Sequence, residues 1–128
     1  MTKKQRQQVY AKYNGHCAYC GKEIAYEEMQ VDHIKPKQRG WVYNPDNVGT
    51  DTMDNYNPSC RACNFRKGLL TVEQFRSELV EQCKGIIKRS FQVRQSIDYG
   101  LIQVNIKPIV FYFEKVNQQN DNKTDSNN

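Results

Sequence analysis

Two short segments of the sequence carry side chains suited to metal-assisted hydrolysis. Asp32 and His33 are adjacent in the first segment, and Asn64 lies in the second. A carboxylate and an amide oxygen are hard ligands that suit Mg²⁺ or Mn²⁺, whereas a neutral imidazole can deprotonate water near neutral pH. Neighbouring residues on a strand point to opposite faces. Asp32 and His33 are therefore expected to play different roles at one reaction centre.

Each of these residues alone has a commoner structural explanation. An Asp–His pair on a strand is more often part of an ordinary surface than of a site, and an asparagine that follows a cysteine is more often a helix cap or a turn residue. The prediction depends on the order in which the three residues fall around the cysteines of the chain.

Four of the five cysteines form two C-x-x-C pairs, which are Cys17 with Cys20 and Cys60 with Cys63. Each pair makes a turn that directs two thiolates at one point, and two such turns complete a tetrahedral S4 site that suits zinc. Because a site with four protein ligands is closed, its predicted role is structural. A redox pair is expected beside a βαβ pattern, which this sequence lacks. Cys83 lies on the apolar face of a predicted helix, where we expect it to be buried.

The elements that would position these groups alternate between helix and strand. The residue patterns predict helices over 4–13, 60–67, 72–83 and 90–99, and strands over 29–34, 55–59 and 104–114. Pro108 makes the last of these an edge strand. Residues 117–128 contain no apolar side chain, which predicts a disordered polar tail. The predicted domains are a core over 1–84 that includes an N-terminal basic helix, an extension over 85–116 packed on that core, and the tail.

The charge of the chain favours a polyanionic partner. The formal net charge is +5, and the basic residues fall in clusters around the candidate ligands. Any one cluster is explained by a solvated face, but several together favour phosphate contacts. The residues predicted to contact DNA are Lys3, Lys4, Arg6, Lys35, Lys37, Arg61, Arg66 and Lys67. No apolar run approaches the length of a membrane span, and the N-terminus lacks the apolar core of a signal peptide. We therefore expect a soluble, intracellular protein with no membrane partner.

Taken together, these motifs resemble the HNH endonuclease family in the form that carries a four-cysteine zinc. The matching pattern is Cys17-x-x-Cys20, Asp32-His33-Ile34-x-Pro36, Asn55, and Cys60-Arg61-x-Cys63-Asn64-x-x-Lys67. The resemblance implies an α+β fold: a small zinc-stapled ββα-metal finger with flanking helices and a C-terminal helical or strand extension. It covers about residues 5–75.

The resemblance also implies a role for each motif residue. His33 would be the general base, and Asp32 and Asn64 would hold the catalytic Mg²⁺ or Mn²⁺, with asparagine where the family often has histidine. Asn55 would shape the loop and help to place His33. Asn57 is a nearby alternative for that role, although the spacing to Cys60 favours Asn55.

The implied activity is hydrolysis of DNA, expected to be double-stranded, to leave 3′-hydroxyl and 5′-phosphate ends. The compact form is similar to small phage-type enzymes, which implies a cytoplasmic location in a bacterial or phage-infected cell. Two other classes of protein remain open. One is a non-catalytic zinc module that binds DNA. The other is a protein-interaction module that uses the C-terminal segment, where an apolar strand would add to a partner's sheet.

Overall fold

The structure is a computed structural model that describes residues 1–37 and 48–126, with side chains described as far as residue 121. The described part of the chain forms five α-helices and one two-stranded antiparallel sheet, which confirms the predicted α+β class. It divides into two compact units. The first comprises Met1–Val72 and Val110–Asn128, and the second is Glu73–Ile109. The domain boundary expected after residue 84 falls inside a helix of the second unit.

The N-terminal helix α1 spans Lys3–Ala11. Its first turn is closed by a capping box, in which the Thr2 side chain accepts from the Gln5 amide and the Gln5 side chain accepts from the Thr2 amide. Such a box satisfies two of the amide groups that a helix start leaves unpaired. The inner face of the helix buries Val9.

An antiparallel pair of strands, called the hairpin below, lies at the centre of the first unit. Strand β1 spans Gln30–His33 and strand β2 spans Tyr56–Ser59. The antiparallel register places Asp32 opposite Asn57 and His33 opposite Tyr56. Met29 and Tyr56 pack with Val9 in one buried cluster, so α1 covers one face of the hairpin.

Helix α2 spans Arg61–Lys67 and follows directly from the hairpin. Cys60 caps its start by accepting from the Cys63 amide, and Gly68 ends it with a φ of 48°. A positive φ at a helix end favours glycine, so this boundary agrees with the prediction. The hairpin and α2 together form the ββα arrangement.

In the second unit, α3 spans Val72–Arg89 and α4 spans Phe91–Asp98. Helix α3 continues past the predicted end at residue 83, because a single interior glycine at Gly85 costs only about 1 kcal/mol relative to alanine. The expected burial of Cys83 is wrong, since its side chain is exposed.

The C-terminal segment differs most from the sequence prediction. No strand forms over 104–114, and helix α5 spans Tyr112–Ser126. Aromatic and β-branched residues favour strands only when they pack on a sheet. Here Phe111 and Phe113 instead pack edge-on against Tyr19, with ring centroids 5.3 and 5.7 Å away.

The segment 117–126 is therefore helical in the structure, where an unstructured tail was expected. Starting a helix is the unfavourable step, and each later residue adds one hydrogen bond for one fixed residue. The amide of Phe113 donates to the Ala18 carbonyl at 2.8 Å, and this docked start allows the polar residues to continue the helix. No helix among the described residues is long and apolar enough to cross a membrane.

Candidate active site

The four paired cysteines converge at one point. Their sulfur atoms all lie within 4.8 Å of one another, and Cys20 Sγ is 3.8 Å from Cys60 Sγ. Zinc–sulfur bonds of about 2.3 Å in a tetrahedron place sulfurs roughly 3.8 Å apart. The hydrogen bond between the two thiols lowers the pKa of Cys17 and raises the pKa of Cys63, so the pair favours one thiolate. The donor set and its spacing fit a structural zinc.

This cluster joins the ends of the ββα unit. The first cysteine pair precedes β1, whereas the second pair opens α2. The Ala18 amide, inside the first pair, also donates to the Pro58 carbonyl of β2 at 2.8 Å. The cluster therefore fixes where the start of α2 lies relative to the hairpin.

A cleft of about 230 Å³ lies between β1 and α2. Its lining includes all three residues predicted to carry the chemistry: Asp32, His33 and Asn64. Among the described residues, none forms a hydrogen bond with the Asn64 side chain, so its amide oxygen is available to a ligand. The remaining lining residues are Val31, Pro36, Lys37, Gly68 and Leu69.

Asp32 enters this cleft from a buried position. Its side chain is 3% exposed; Lys67 Nζ donates to Oδ1 at 3.1 Å, and the Tyr19 hydroxyl donates to Oδ2. Burial raises the pKa of Asp32, and the bonds from Tyr19 and Lys67 oppose that shift. Since a carboxylate offers about four lone-pair sites, both oxygens keep acceptor capacity. The hydrogen bonds from Tyr19 and Lys67 thus fix the orientation of the Asp32 carboxylate.

Lys67 lies beneath the site and not on its surface. Its side chain is 0% exposed, and Nζ also donates to the His33 carbonyl at 2.9 Å. Burial lowers the pKa of Lys67, while the Asp32 carboxylate raises it. The expected phosphate contact is therefore corrected: Lys67 has no exposed face for a phosphate and instead holds Asp32.

His33 follows Asp32 on β1 and lines the same cleft. Its side chain is 30% exposed, and Nε2 lies 2.8 Å from Asp51 Oδ1. Lys37 Nζ contacts the other Asp51 oxygen at 2.7 Å. Lys37 and then His33 lower the pKa of Asp51 to about 2. The rings of His33 and Tyr56 also pack in a T-shaped arrangement, with ring centroids 5.3 Å apart.

Asn55 organises the loop that joins the two strands. Its side-chain oxygen accepts from the Lys35 amide at 2.9 Å, and its Nδ2 donates to the carbonyls of Lys35 and Thr50 at 3.0 and 2.9 Å. Asn57 faces the other way, where Nδ2 donates to the Tyr19 hydroxyl at 3.4 Å. Of the two asparagines, Asn55 has the contacts that a loop-shaping residue requires.

The other residues predicted to contact DNA occupy different environments. Five of them have exposed side chains: Lys3, Lys4, Lys35, Arg61 and Arg66. Lys37 pairs with Asp51, as described above. Arg6 is tied down, because its Nη2 donates to the carbonyls of Tyr26 and Met29 at 2.7 and 3.0 Å. Its guanidinium also lies over the Tyr26 ring.

Tyr19 and Asp51 were missed by sequence reasoning. Tyr19 lies inside a C-x-x-C pair, where attention falls on the cysteines. Asp51 lies in a polar loop without periodicity, and its contact with His33 joins residues 18 positions apart. A signal for Tyr19 was its place directly before the predicted zinc ligand Cys20, whereas the sequence offers no signal for Asp51.

A known protein family matches the segment of the chain that contains the candidate site. Residues 17–69 match the model of a family described as HNH endonuclease. Among solved structures, the chain is similar to the crystal structure of the Type II-C Cas9 enzyme from Actinomyces naeslundii, with 21% identity and a TM-score of 0.49. That match covers 66% of this chain and 9% of the Cas9 chain. No curated protein matches this sequence.

Proposed function

We propose that the protein is a metal-dependent DNA endonuclease, since residues 17–69 match the model of the HNH endonuclease family. The observation that carries the proposal is the cleft that Asp32, His33 and Asn64 line together. A carboxylate, an imidazole and an amide around one opening provide ligands for a hard cation and a base for water. Hydrolysis of a phosphodiester bond needs both functions.

Asp32 and Asn64 are the residues we assign to the catalytic ion. Their oxygen atoms suit Mg²⁺ or Mn²⁺ better than softer metals. When bound, such an ion supplies Lewis acidity at the phosphate and at the leaving 3′-oxygen. Lys67 and Tyr19 each use one Asp32 oxygen as an acceptor. They keep the carboxylate oriented while lone pairs remain for the ion.

His33 is the residue we assign to the attacking water. Its imidazole takes a proton from that water, whose oxygen bonds to phosphorus while the bond to the 3′-oxygen breaks. The departing 3′-oxygen takes a proton from solvent, so the products are a 3′-hydroxyl and a 5′-phosphate. The exposed basic residues, among them Lys3, Lys4 and Arg61, would hold the DNA backbone by charge, without reading the base sequence.

The cysteine cluster has a supporting role in this proposal. Zinc held by Cys17, Cys20, Cys60 and Cys63 would fix α2 against the hairpin, and so fix Asn64 relative to Asp32. A closed S4 site leaves no position for substrate. The zinc therefore acts on the reaction only through the positions of these residues.

One observation favours a second candidate, a zinc module that binds DNA without cutting it. Asp32 is already neutralised by Lys67, so the fold does not need an ion at that carboxylate. The strand expected for the protein-interaction candidate does not form, because the apolar segment around Phe111 and Phe113 packs on Tyr19.

The test is nicking of supercoiled DNA in Mg²⁺ or Mn²⁺ by wild type, His33→Ala and His16→Ala. Loss of a general base slows a reaction by roughly 100- to 10,000-fold, so His33→Ala should lose nicking while it retains zinc, fold and DNA binding. His16 stacks on Tyr112 and does not line the cleft, so His16→Ala is the matched control. Absence of cleavage by wild type in either ion would favour the binding module.

A further inference from the structure

We propose that Asp51 is a positioning residue that holds the Nε2–H tautomer of His33, so that Nδ1 is the atom that accepts the proton from water. This inference rests on the proposed function. Its geometric basis is the 2.8 Å contact between His33 Nε2 and Asp51 Oδ1. No motif of the sequence involves Asp51.

The chemistry of the pair fixes the location of the ring proton. An ionised carboxylate only accepts hydrogen bonds, whereas a neutral imidazole has one donor nitrogen and one acceptor nitrogen. Because Asp51 faces Nε2, that nitrogen must be the donor. The acceptor lone pair then lies on Nδ1. The negative charge of Asp51 also stabilises the imidazolium that forms when the base takes its proton, as in other acid–histidine pairs.

Lys37 holds the carboxylate in this orientation. Its Nζ lies 2.7 Å from Asp51 Oδ2, the oxygen that His33 does not use. Lys37 also lines the cleft with His33. With one oxygen bound to His33 and the other to Lys37, the carboxylate cannot rotate without losing a contact, so Oδ1 stays directed at the ring.

The backbone around Asp51 is held close to the end of β1. The Asn55 side chain donates to the Thr50 carbonyl at 2.9 Å, and the Gly49 amide donates to the Pro36 carbonyl at 3.0 Å. A Cβ at Gly49 would lie 1.7 Å from the Lys35 carbonyl oxygen, so only glycine allows this close approach. The loop therefore presents Asp51 to His33 in a defined position.

A surface ion pair without a role in the reaction is the competing explanation, since the Asp51 side chain is 58% exposed and exposed pairs contribute little to stability. The substitution Asp51→Asn distinguishes the two. An amide can accept from Nε2–H through its oxygen or donate to a bare Nε2 through its nitrogen. It therefore permits both tautomers while the shape of the side chain is kept.

The experiment compares wild type, Asp51→Asn and Asp54→Asn by two measurements. The first is the set of ¹⁵N chemical shifts of the imidazole nitrogens, recorded at a pH where both rings are neutral; the chain has only two histidines to assign. The second is kcat and KM for nicking. Asp54 is an exposed acid in the same loop and makes no contact with His33 among the described residues, so Asp54→Asn matches the change in charge.

We expect Nε2–H to predominate for His33 in wild type and in Asp54→Asn, and both tautomers to be populated in Asp51→Asn. Loss of a residue that orients a functional histidine typically costs about 10- to 100-fold in activity, and here the loss should fall on kcat. An unchanged tautomer in Asp51→Asn, or a kcat equal to that of wild type, would overturn the proposal. If wild type does not cut DNA but the tautomer still responds to Asp51→Asn, the nuclease proposal fails while the assignment of the His33–Asp51 contact holds.

Discussion

Lys67 Nζ lies 3.1 Å from Asp32 Oδ1, with both side chains withdrawn from solvent. The contact joins the last residue of α2 to the third residue of β1. A buried charge is costly unless it is paired and hydrogen-bonded, and here each partner satisfies the other. The pair therefore links the position of a candidate metal ligand to the packing of the helix that carries Asn64.

The first prediction concerns this pair. Lys67→Met should lower the free energy of unfolding by about 3 to 5 kcal/mol, because it leaves an uncompensated buried carboxylate. Denaturant unfolding of the zinc-loaded protein measures the change. Lys84→Met, at an exposed lysine paired with Glu81, is the control and should stay within about 0.5 kcal/mol. A loss at Lys67 no larger than at Lys84 would contradict the buried pair. Combining Asp32→Asn with Lys67→Met should recover stability but not cleavage.

The second prediction concerns the catalytic ion. Asn64→Ala should reduce cleavage in a way that higher Mn²⁺ partly restores, because it removes an ion ligand and leaves the base intact. It is a more specific test than Asp32→Ala, which also leaves the buried Lys67 charge without its partner. Asn64→His should keep activity and shift the preferred ion towards metals that accept imidazole. Cleavage rates measured across Mn²⁺ concentrations report both effects, with His33→Ala as the variant that Mn²⁺ should not rescue. Equal Mn²⁺ responses in Asn64→Ala and His33→Ala would rule out the division of roles.

A third prediction tests the cysteine cluster. Purified wild type should contain one zinc per chain, and Cys60→Ser should lose zinc together with a stable fold, since structural zinc contributes on the order of 10 kcal/mol to folding in zinc-finger peptides. Elemental analysis with circular dichroism measures both properties. Cys83 is exposed and lies outside the cluster, so Cys83→Ser should retain the metal. A folded wild-type protein without zinc would refute the assignment.

The fourth prediction separates two kinds of basic residue in α1. Replacing Lys3 and Lys4 together with alanine should weaken DNA binding without loss of stability. The slope of log K against log salt should change by about 1.8 if each lysine neutralises one phosphate. Arg6→Ala should instead destabilise the fold by about 1.5 to 3 kcal/mol, because a charged donor to two part-buried carbonyls is lost. Fluorescence anisotropy in a salt series and thermal unfolding tell these outcomes apart. An unchanged salt slope in the lysine variant would remove α1 from the proposed DNA interface.

Local patterns predicted a large part of this molecule. The two C-x-x-C pairs bring their ligands together through short turns, so Cys17, Cys20, Cys60 and Cys63 follow from spacing alone. The alternation around Asp32 and the glycine after Lys67 identified β1 and the end of α2. The motif order likewise predicted a resemblance to the HNH endonuclease family, and the model of that family matches residues 17–69.

The sequence-based expectations and the structure differ where long-range packing decides. The sequence shows Lys67 and Arg6 as cations, and a cation is expected at the surface, yet both are recruited by groups distant in the chain. Lys67 reaches Asp32 across 35 positions, and Arg6 reaches Met29 across 23. The aromatic residues around Phe111 were predicted to form a strand for the same reason. A local sequence pattern does not show that they pack on Tyr19. The contact between Asp51 and His33 is the long-range interaction that matters most for the proposed chemistry.

When it binds a metal ion, the cysteine cluster would also restrict the conformations of the unfolded chain. Cys20 and Cys60 are 40 positions apart, and the segment between them contains both strands and the Asn55 loop. A cross-link that closes a loop of this length removes disorder from the unfolded chain worth on the order of 4 kcal/mol by chain-entropy estimates for disulfides. A zinc ion distant from the proposed reaction centre would thus determine what fraction of the molecules is folded and able to react. If the proposed function holds, limited zinc in a cell would lower the quantity of folded protein while the turnover of each remaining molecule stayed the same.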